Sequence, residues 1–169
     1  SEYTYNSRGQ RTVVRNKIRE DVWQETGYTY SPCGNIIKVA VSADENGCGR
    51  KYAFTTYTYD GNGNITGIQL PSGDEIHREY DLCDRITAEH YREKNGSIDN
   101  RITYHYDKNG NLTEVRYQDG HTITMCYDVM DRLVSRTEGR GTTRMTYDLD
   151  GKLISQINPN ELQARGDAA

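Results

Sequence analysis

The sequence predicts an all-β fold in which consecutive antiparallel β-hairpins form one extended, twisted or spiralling sheet. A tyrosine-headed motif recurs along the chain, each copy holds two turn signals, and no window combines a helical period with helix caps. The tyrosines lie 25, 29, 21, 26, 21 and 20 residues apart at Tyr5, Tyr30, Tyr59, Tyr80, Tyr106, Tyr127 and Tyr147. A period of this size indicates one supersecondary unit that has been stacked.

The strand that enters each motif ends in Tyr-x-Tyr, as in Tyr57/Tyr59 and Tyr104/Tyr106. Residues two apart on a strand point to the same face of the sheet. We therefore expect the tyrosine rings, together with a row of Ile and Leu, to form the layer that holds the repeats together.

A turn follows each tyrosine. The Asp that comes next can accept a hydrogen bond from the backbone N–H two residues on, and a Gly three residues later suits a type I turn with a bulge. Asp84 and Asp131 replace that glycine in two repeats, and Asp is among the few residues that tolerate positive φ. The residues that define the repeat are Tyr59, Asp60, Gly63, Tyr80, Asp81, Tyr106, Asp107, Gly110, Tyr127, Asp128, Tyr147, Asp148 and Gly151.

The leaving strand of each repeat runs into a second turn that contains Gly, for example Asp119-Gly120. The predicted strands are about five to seven residues long. Two longer segments, 42–51 and 89–101, are expected to be surface excursions. The stretch 11–27 replaces a minimal hairpin in the first repeat, and its strand boundaries stay open.

Composition restricts the class of protein. Only 34% of the residues are hydrophobic and the mean hydropathy is −0.93, which favours an open sheet over a tight two-sheet core. The net charge is −4 and basic residues are scattered, so nucleic acid is a poor candidate partner. No apolar run could span a membrane, and Ser1 begins no signal peptide. We assign residues 1–158 to about seven repeats and residues 159–169 to a polar tail.

The motif Tyr-Asp-x-x-Gly-[Arg/Asn/Lys]-Leu resembles the RHS, or YD, repeat. The match is best at 59–65, 106–112 and 147–153, and Asp replaces Gly at 80–86 and 127–133. The repeats at Tyr5 and Tyr30 are degenerate. The resemblance covers nearly the whole chain, to about Asn158.

The resemblance implies a segment of a very large secreted or surface protein, bacterial in this case, whose β-sheet spirals into a hollow shell. Such a shell encloses or presents a C-terminal toxin or effector domain. The implied partners are neighbouring RHS repeats and that effector. Many bacterial members end in a core segment with an aspartyl-protease-like site, and this sequence has no such segment. We therefore expect a structural scaffold and no enzyme, with no catalytic, cofactor-binding or metal-binding residues.

Other interpretations of the motif are weaker. The run from Asp60 to Asn64 begins like a calcium loop but has Ile65 and Pro71 where Gly and Glu are required, so we interpret the aspartates as turn caps. The four histidines are not grouped, and an Arg165-Gly166-Asp167 tripeptide in the tail is short enough to occur by chance. Adhesion to carbohydrate or a cell-surface partner through the tyrosine face is the main alternative function.

Two further expectations concern the ends and the thiols. Unpaired strands at the two edges, near 3–5 and 146–157, are expected to let the chain self-associate.

Cys33 and Cys83 occupy the same position two repeats apart, roughly 19 Å from each other at the usual strand spacing, which is too far for a disulfide. Free cysteines are expected.

Overall fold

The computed structural model describes residues 1–20, 22–43, 51–96 and 98–158. All regular structure in these residues is β, and none of them forms a helix that could cross a membrane. The strands are β1 (Glu2–Tyr5), β2 (Arg11–Arg19), β3 (Val22–Tyr30), β4 (Ile36–Ala43), β5 (Lys51–Tyr59), β6 (Ile65–Gln69), β7 (Glu75–Tyr80), β8 (Ile86–Arg92), β9 (Ile98–Tyr106), β10 (Leu112–Tyr117), β11 (Thr122–Tyr127), β12 (Leu133–Glu138), β13 (Gly141–Tyr147) and β14 (Leu153–Ile157).

Strand order in the sheet is the order in the sequence, from β1 to β14. This confirms the predicted all-β class of consecutive antiparallel hairpins. The chain divides into two compact units. The first comprises Ser1–Arg85 and His90–Asp99, and the second comprises Ile86–Glu89 and the described residues from Asn100 onward.

In the first unit, the pairing between one repeat and the next keeps a constant register. The residue eight positions after a tyrosine pairs with the residue three positions before the next tyrosine. The pairs are Val13↔Gly27, Lys38↔Thr56 and Gly67↔His77. The alternation of side chains between the faces is therefore preserved from repeat to repeat.

The second unit follows the same register, with Glu114↔Thr124 and Ser135↔Arg144. Within the hairpins of both units, the register shifts by one residue next to the tyrosine, for example between Thr58 and Tyr59. Such a shift is the bulge that a type I turn with a positive-φ residue produces.

Burial is shallow in the described residues. The only buried hydrophobic side chains there are Val14, Ala88, Val115 and Ile123, and no side chain there is less than 2% exposed. A composition with few aliphatic residues predicted modest burial of this kind.

Two details differ from the prediction. Strand lengths run from four to nine residues instead of about five to seven, and β2, β3, β5 and β9 have nine residues each. Segment 89–101 is mostly strand, since β8 ends at Arg92 and β9 begins at Ile98. The neighbouring strands β8 and β9 therefore both continue into this segment.

The stretch 11–27 is resolved into the long hairpin β2–β3. Most of segment 42–51, including Cys48, and the whole tail from 159 lie outside the described residues.

Candidate functional site

The repeated structure with the most conspicuous chemistry is the turn after each tyrosine. At Asp60 the backbone N–H donates to the carbonyl of Asn64 (3.0 Å) and the carbonyl accepts from Gly63 N–H (3.2 Å). The same two bonds recur in the other described turns of this type, for example at Asp81, Asp107, Asp128 and Asp148. The turn is therefore one structural element used repeatedly.

The aspartate side chain holds this turn closed, as the sequence predicted. One oxygen of Asp60 accepts the backbone N–H groups of Asn62 and Asn64, both at 2.9 Å. Its second oxygen accepts the side-chain amide of Asn64 at 3.1 Å. In the Asp81 and Asp128 turns an arginine takes that place, with Arg85 Nε and Arg132 Nε each at 2.7 Å.

These bonds stabilise the charged form of the carboxylate. The backbone N–H of Asn64 lowers the pKa of Asp60, and the Arg85 guanidinium lowers the pKa of Asp81. The backbone N–H of Arg132 lowers the pKa of Asp128. At Asp107, partial burial acts to raise the pKa, but the hydrogen bonds from Asn111 outweigh it and the pKa is lowered.

The positive φ expected at the fourth position after the tyrosine is present. The glycines Gly63, Gly110 and Gly151 have φ of 93°, 97° and 84°. Asp84 and Asp131, the replacements, have φ of 60° and 58° and are the only non-glycine residues with positive φ in the described part of the chain.

The tyrosine hydroxyls form a ladder between repeats that sequence reasoning did not identify. Each hydroxyl donates to the backbone carbonyl six residues after the preceding tyrosine. The bonds are Tyr30 to Arg11 (2.7 Å), Tyr59 to Ile36 (2.6 Å), Tyr80 to Ile65 (2.8 Å), Tyr106 to Ile86 (2.9 Å), Tyr127 to Leu112 (3.0 Å) and Tyr147 to Leu133 (2.8 Å). Partial burial raises the pKa of Tyr59 and Tyr127.

A second set of contacts between repeats involves the aspartates with positive φ. Asp84 Oδ1 accepts the side-chain amides of Asn62 (2.9 Å) and Asn64 (2.6 Å) from the preceding repeat. Asp131 Oδ1 accepts those of Asn109 (2.8 Å) and Asn111 (2.7 Å) in the same way. The sequence contains a signal for this contact. Asn-Gly-Asn turns alternate with Asp-Arg turns, so each kind of turn recurs after two repeats, or 47 residues.

The tyrosines proposed for adhesion are only partly exposed. Tyr57 and Tyr104 are half-buried, and the hydroxyl of Tyr104 donates to Glu89 at 2.8 Å. The aromatic pair that is more exposed, Tyr52 and Phe54, lies on the other face of β5, with ring centroids 6.3 Å apart. Lys38 Nζ lies 3.9 Å from the Phe54 centroid.

The histidines are separate. His77, His90 and His121 each pair with one glutamate at 3.0–3.3 Å. Within the described residues, no three His, Cys, Asp or Glu side chains are grouped to hold a metal ion. Cys33, Cys83 and Cys126 are free and exposed.

Comparison with known proteins found one family whose model matches two stretches of the chain. The model of the RHS Repeat family matches residues 59–95 and 106–143, which together make up less than half of the chain. Both matches begin at a tyrosine that heads an Asn-Gly-Asn turn. No curated protein matches the chain.

Solved structures of toxin complexes share the fold. The chain superposes on a TcdB2-TccC3-TEV structure with a TM-score of 0.76 at 15% identity, and on the Photorhabdus luminescens Tc holotoxin pore with a mutation in TccC3 at 0.75 and 15%. Both matches cover 94% of this chain and 9% of the other chain. A TcdB2-TccC3 structure without its hypervariable C-terminal region gives 0.66 at 14% identity, covering 92% and 10%. This chain therefore spans about a tenth of the length of the proteins that it resembles.

Proposed function

Since this chain carries RHS repeats, we propose that it is a structural segment of the shell of a large RHS-repeat protein, which encloses or presents a C-terminal toxin or effector domain. Its partners are then the neighbouring repeats of the same long protein and the enclosed domain. The proposed location is outside the cell that makes it, secreted or at a bacterial surface.

The tyrosine ladder is the observation that carries this proposal. Six hydroxyls make the same bond to the preceding repeat, at 2.6–3.0 Å. A hydroxyl bonded to a carbonyl in this way stabilises the stack and is not poised for chemistry. The repeated residues thus serve to join one repeat to the next, which is what a wall built from many repeats requires.

Enclosure can be tested by limited proteolysis of the full-length protein, with the domain downstream of the repeats followed by mass spectrometry. The downstream domain should resist protease in the intact protein and become sensitive when Tyr80 and Tyr127 are both replaced by Phe. Tyr57→Phe is the matched control, because the Tyr57 hydroxyl lies inside the segment and makes no hydrogen bond to the described residues. Equal digestion with and without the repeats would reject enclosure.

Adhesion makes a different prediction for the 169-residue chain alone. Micromolar binding on a glycan array, lost in Tyr57→Ala and Tyr104→Ala, would favour a ligand-binding module over a scaffold.

Association of the chain with itself through strand edges is also proposed, and sedimentation over a concentration series measures it. A strictly monomeric chain at high micromolar concentration would reject self-association without affecting the shell proposal.

A further inference from the structure

Neighbouring repeats meet through two kinds of turn, and the two kinds alternate. From residue 59 to residue 151 the fourth position after the tyrosine reads Gly63, Asp84, Gly110, Asp131, Gly151. The third and fifth repeats, which have Gly at this position, carry Asn immediately before and after it. The fourth and sixth, which have Asp, carry Arg after it.

A glycine-type repeat contacts the aspartate-type repeat that follows it through amide donors. Asn62 and Asn64 both donate to Asp84 Oδ1, at 2.9 and 2.6 Å. The second example has the same atoms and nearly the same distances, at 2.8 and 2.7 Å to Asp131. Hydrogen bonds to a carboxylate are stronger than those between neutral groups.

An aspartate-type repeat contacts the glycine-type repeat that follows it differently. Arg132 Nη1 donates to the backbone carbonyl of Asp148 at 3.2 Å, and the guanidinium lies 4.9 Å from the centroid of the Tyr147 ring. No carboxylate stands at the fourth position of that next repeat, since Gly151 occupies it. The arginine therefore binds backbone and ring.

We propose that the residue at the fourth position selects the preceding repeat, so that Asp requires a neighbour with Asn on both sides of its own glycine, whereas Gly accepts a neighbour with Arg. Within its own turn, Asp is less favourable than Gly at a position with positive φ. The hydrogen bonds from the two amides of the preceding repeat compensate for this difference. The interaction surface is the turn edge, and its partner is an adjoining repeat of the matching type.

A double-mutant cycle on the 169-residue chain measures this selection by thermal unfolding. Asn62→Ala removes an amide that bonds only to Asp84, and it should lower the unfolding midpoint by about 2–4 °C. In the Asp84→Gly background the same change should have no effect, because the acceptor is gone. Asn62→Ala combined with Asp131→Gly is the matched control and should be additive, because Asp131 belongs to the other pair.

The second measurement introduces an aspartate at the fourth position of a repeat that has glycine there. Gly151→Asp places a carboxylate after a repeat that offers Met130 and Arg132, and it should lower the midpoint. Adding Met130→Asn and Arg132→Asn should restore part of the loss. Additivity of Asn62→Ala with Asp84→Gly would overturn the proposal, and so would a Gly151→Asp variant as stable as the starting protein.

Discussion

The turns at Gly63 and Asp84 have the same backbone hydrogen bonds but are stabilised in different ways. The closing bonds Asp60 N–H to Asn64 O and Asp81 N–H to Arg85 O measure 3.0 and 2.9 Å. Glycine reaches φ of 93° without steric cost, whereas Asp84 at 60° bears a penalty of about 1 kcal/mol. The glycine of the first turn adopts its φ without strain, whereas the aspartate of the second accepts two amides from the preceding repeat.

The same difference recurs one double period later. Gly110 and Asp131 have φ of 97° and 58°, and Asp131 accepts two amides as Asp84 does. The two amide contacts to an aspartate with positive φ therefore recur in both described examples. The variants below test each half of the comparison.

The largest effect is expected from Gly63→Ala. A side chain at φ of 93° is strained, and a Cβ at this position would touch nothing within 4 Å, so the strain has no compensating contact. We expect a loss of about 1–2 kcal/mol in the free energy of unfolding, measured by urea denaturation. Gly61→Ala is the control, because its added Cβ is equally free of contacts and its φ is not positive. Equal stability of the two variants would show that the positive φ is not what requires glycine.

The next largest effect concerns the tyrosine ladder, which both kinds of repeat share. Tyr80→Phe and Tyr147→Phe each remove a hydroxyl that donates to a carbonyl at 2.8 Å. Each should cost about 1 kcal/mol, with the same value in the aspartate-type and the glycine-type repeat. Tyr5→Phe should leave stability unchanged. A much larger loss at Tyr80 than at Tyr147 would show that the ladder is not uniform.

The sequence predicted what is local. The Asp side chain at Asp60 bonds the N–H two residues on, and Asp84 has positive φ, because these properties depend on residues within five positions. The hairpins followed from alternation and turn signals for the same reason. Segment 89–101 is mostly strand and not a surface excursion, because a polar composition suits a strand as well as a loop.

Contacts between repeats could not be read from one motif. Tyr59 and Ile36 are 23 residues apart, and Asn64 and Asp84 are 20 apart, so their bonds depend on the register between strands. That register is constant, with the eighth residue after one tyrosine opposite the third before the next. The alternation of Asn-Gly-Asn with Asp-Arg was visible in the sequence, but its meaning required the geometry.

A smaller effect should appear as pH falls. The folded pKa of Asp60 and Asp81 lies below the ordinary value of 3.8, so the folded state favours the ionised carboxylate. Their contribution to stability is complete well above the ordinary pKa of 3.8 and is lost as the pH falls through the lowered folded pKa. In an acid titration followed by circular dichroism, Asp60→Asn should reduce the loss of stability that occurs as the pH falls below the ordinary pKa of 3.8. Asp150→Asn, at a residue without a hydrogen bond to the described part of the chain, should leave that loss unchanged.

The smallest effect is expected from Asp84→Gly, because two contributions oppose each other. Glycine relieves the strain at φ of 60°, about 1 kcal/mol, but removes the acceptor of two amide hydrogen bonds, each worth about 0.5–1 kcal/mol at an exposed position. The net change should be a loss of between zero and about 1 kcal/mol in the free energy of unfolding. Cancellation can be distinguished from an absent interaction by repeating the change after Asn62→Ala and Asn64→Ala have removed the donors. Asp84→Gly should then stabilise the chain by about 1 kcal/mol, since only the relief of strain remains. If Asp84→Gly is neutral in both backgrounds, the aspartate at positive φ is not strained, and the contrast with Gly63 has no energetic basis.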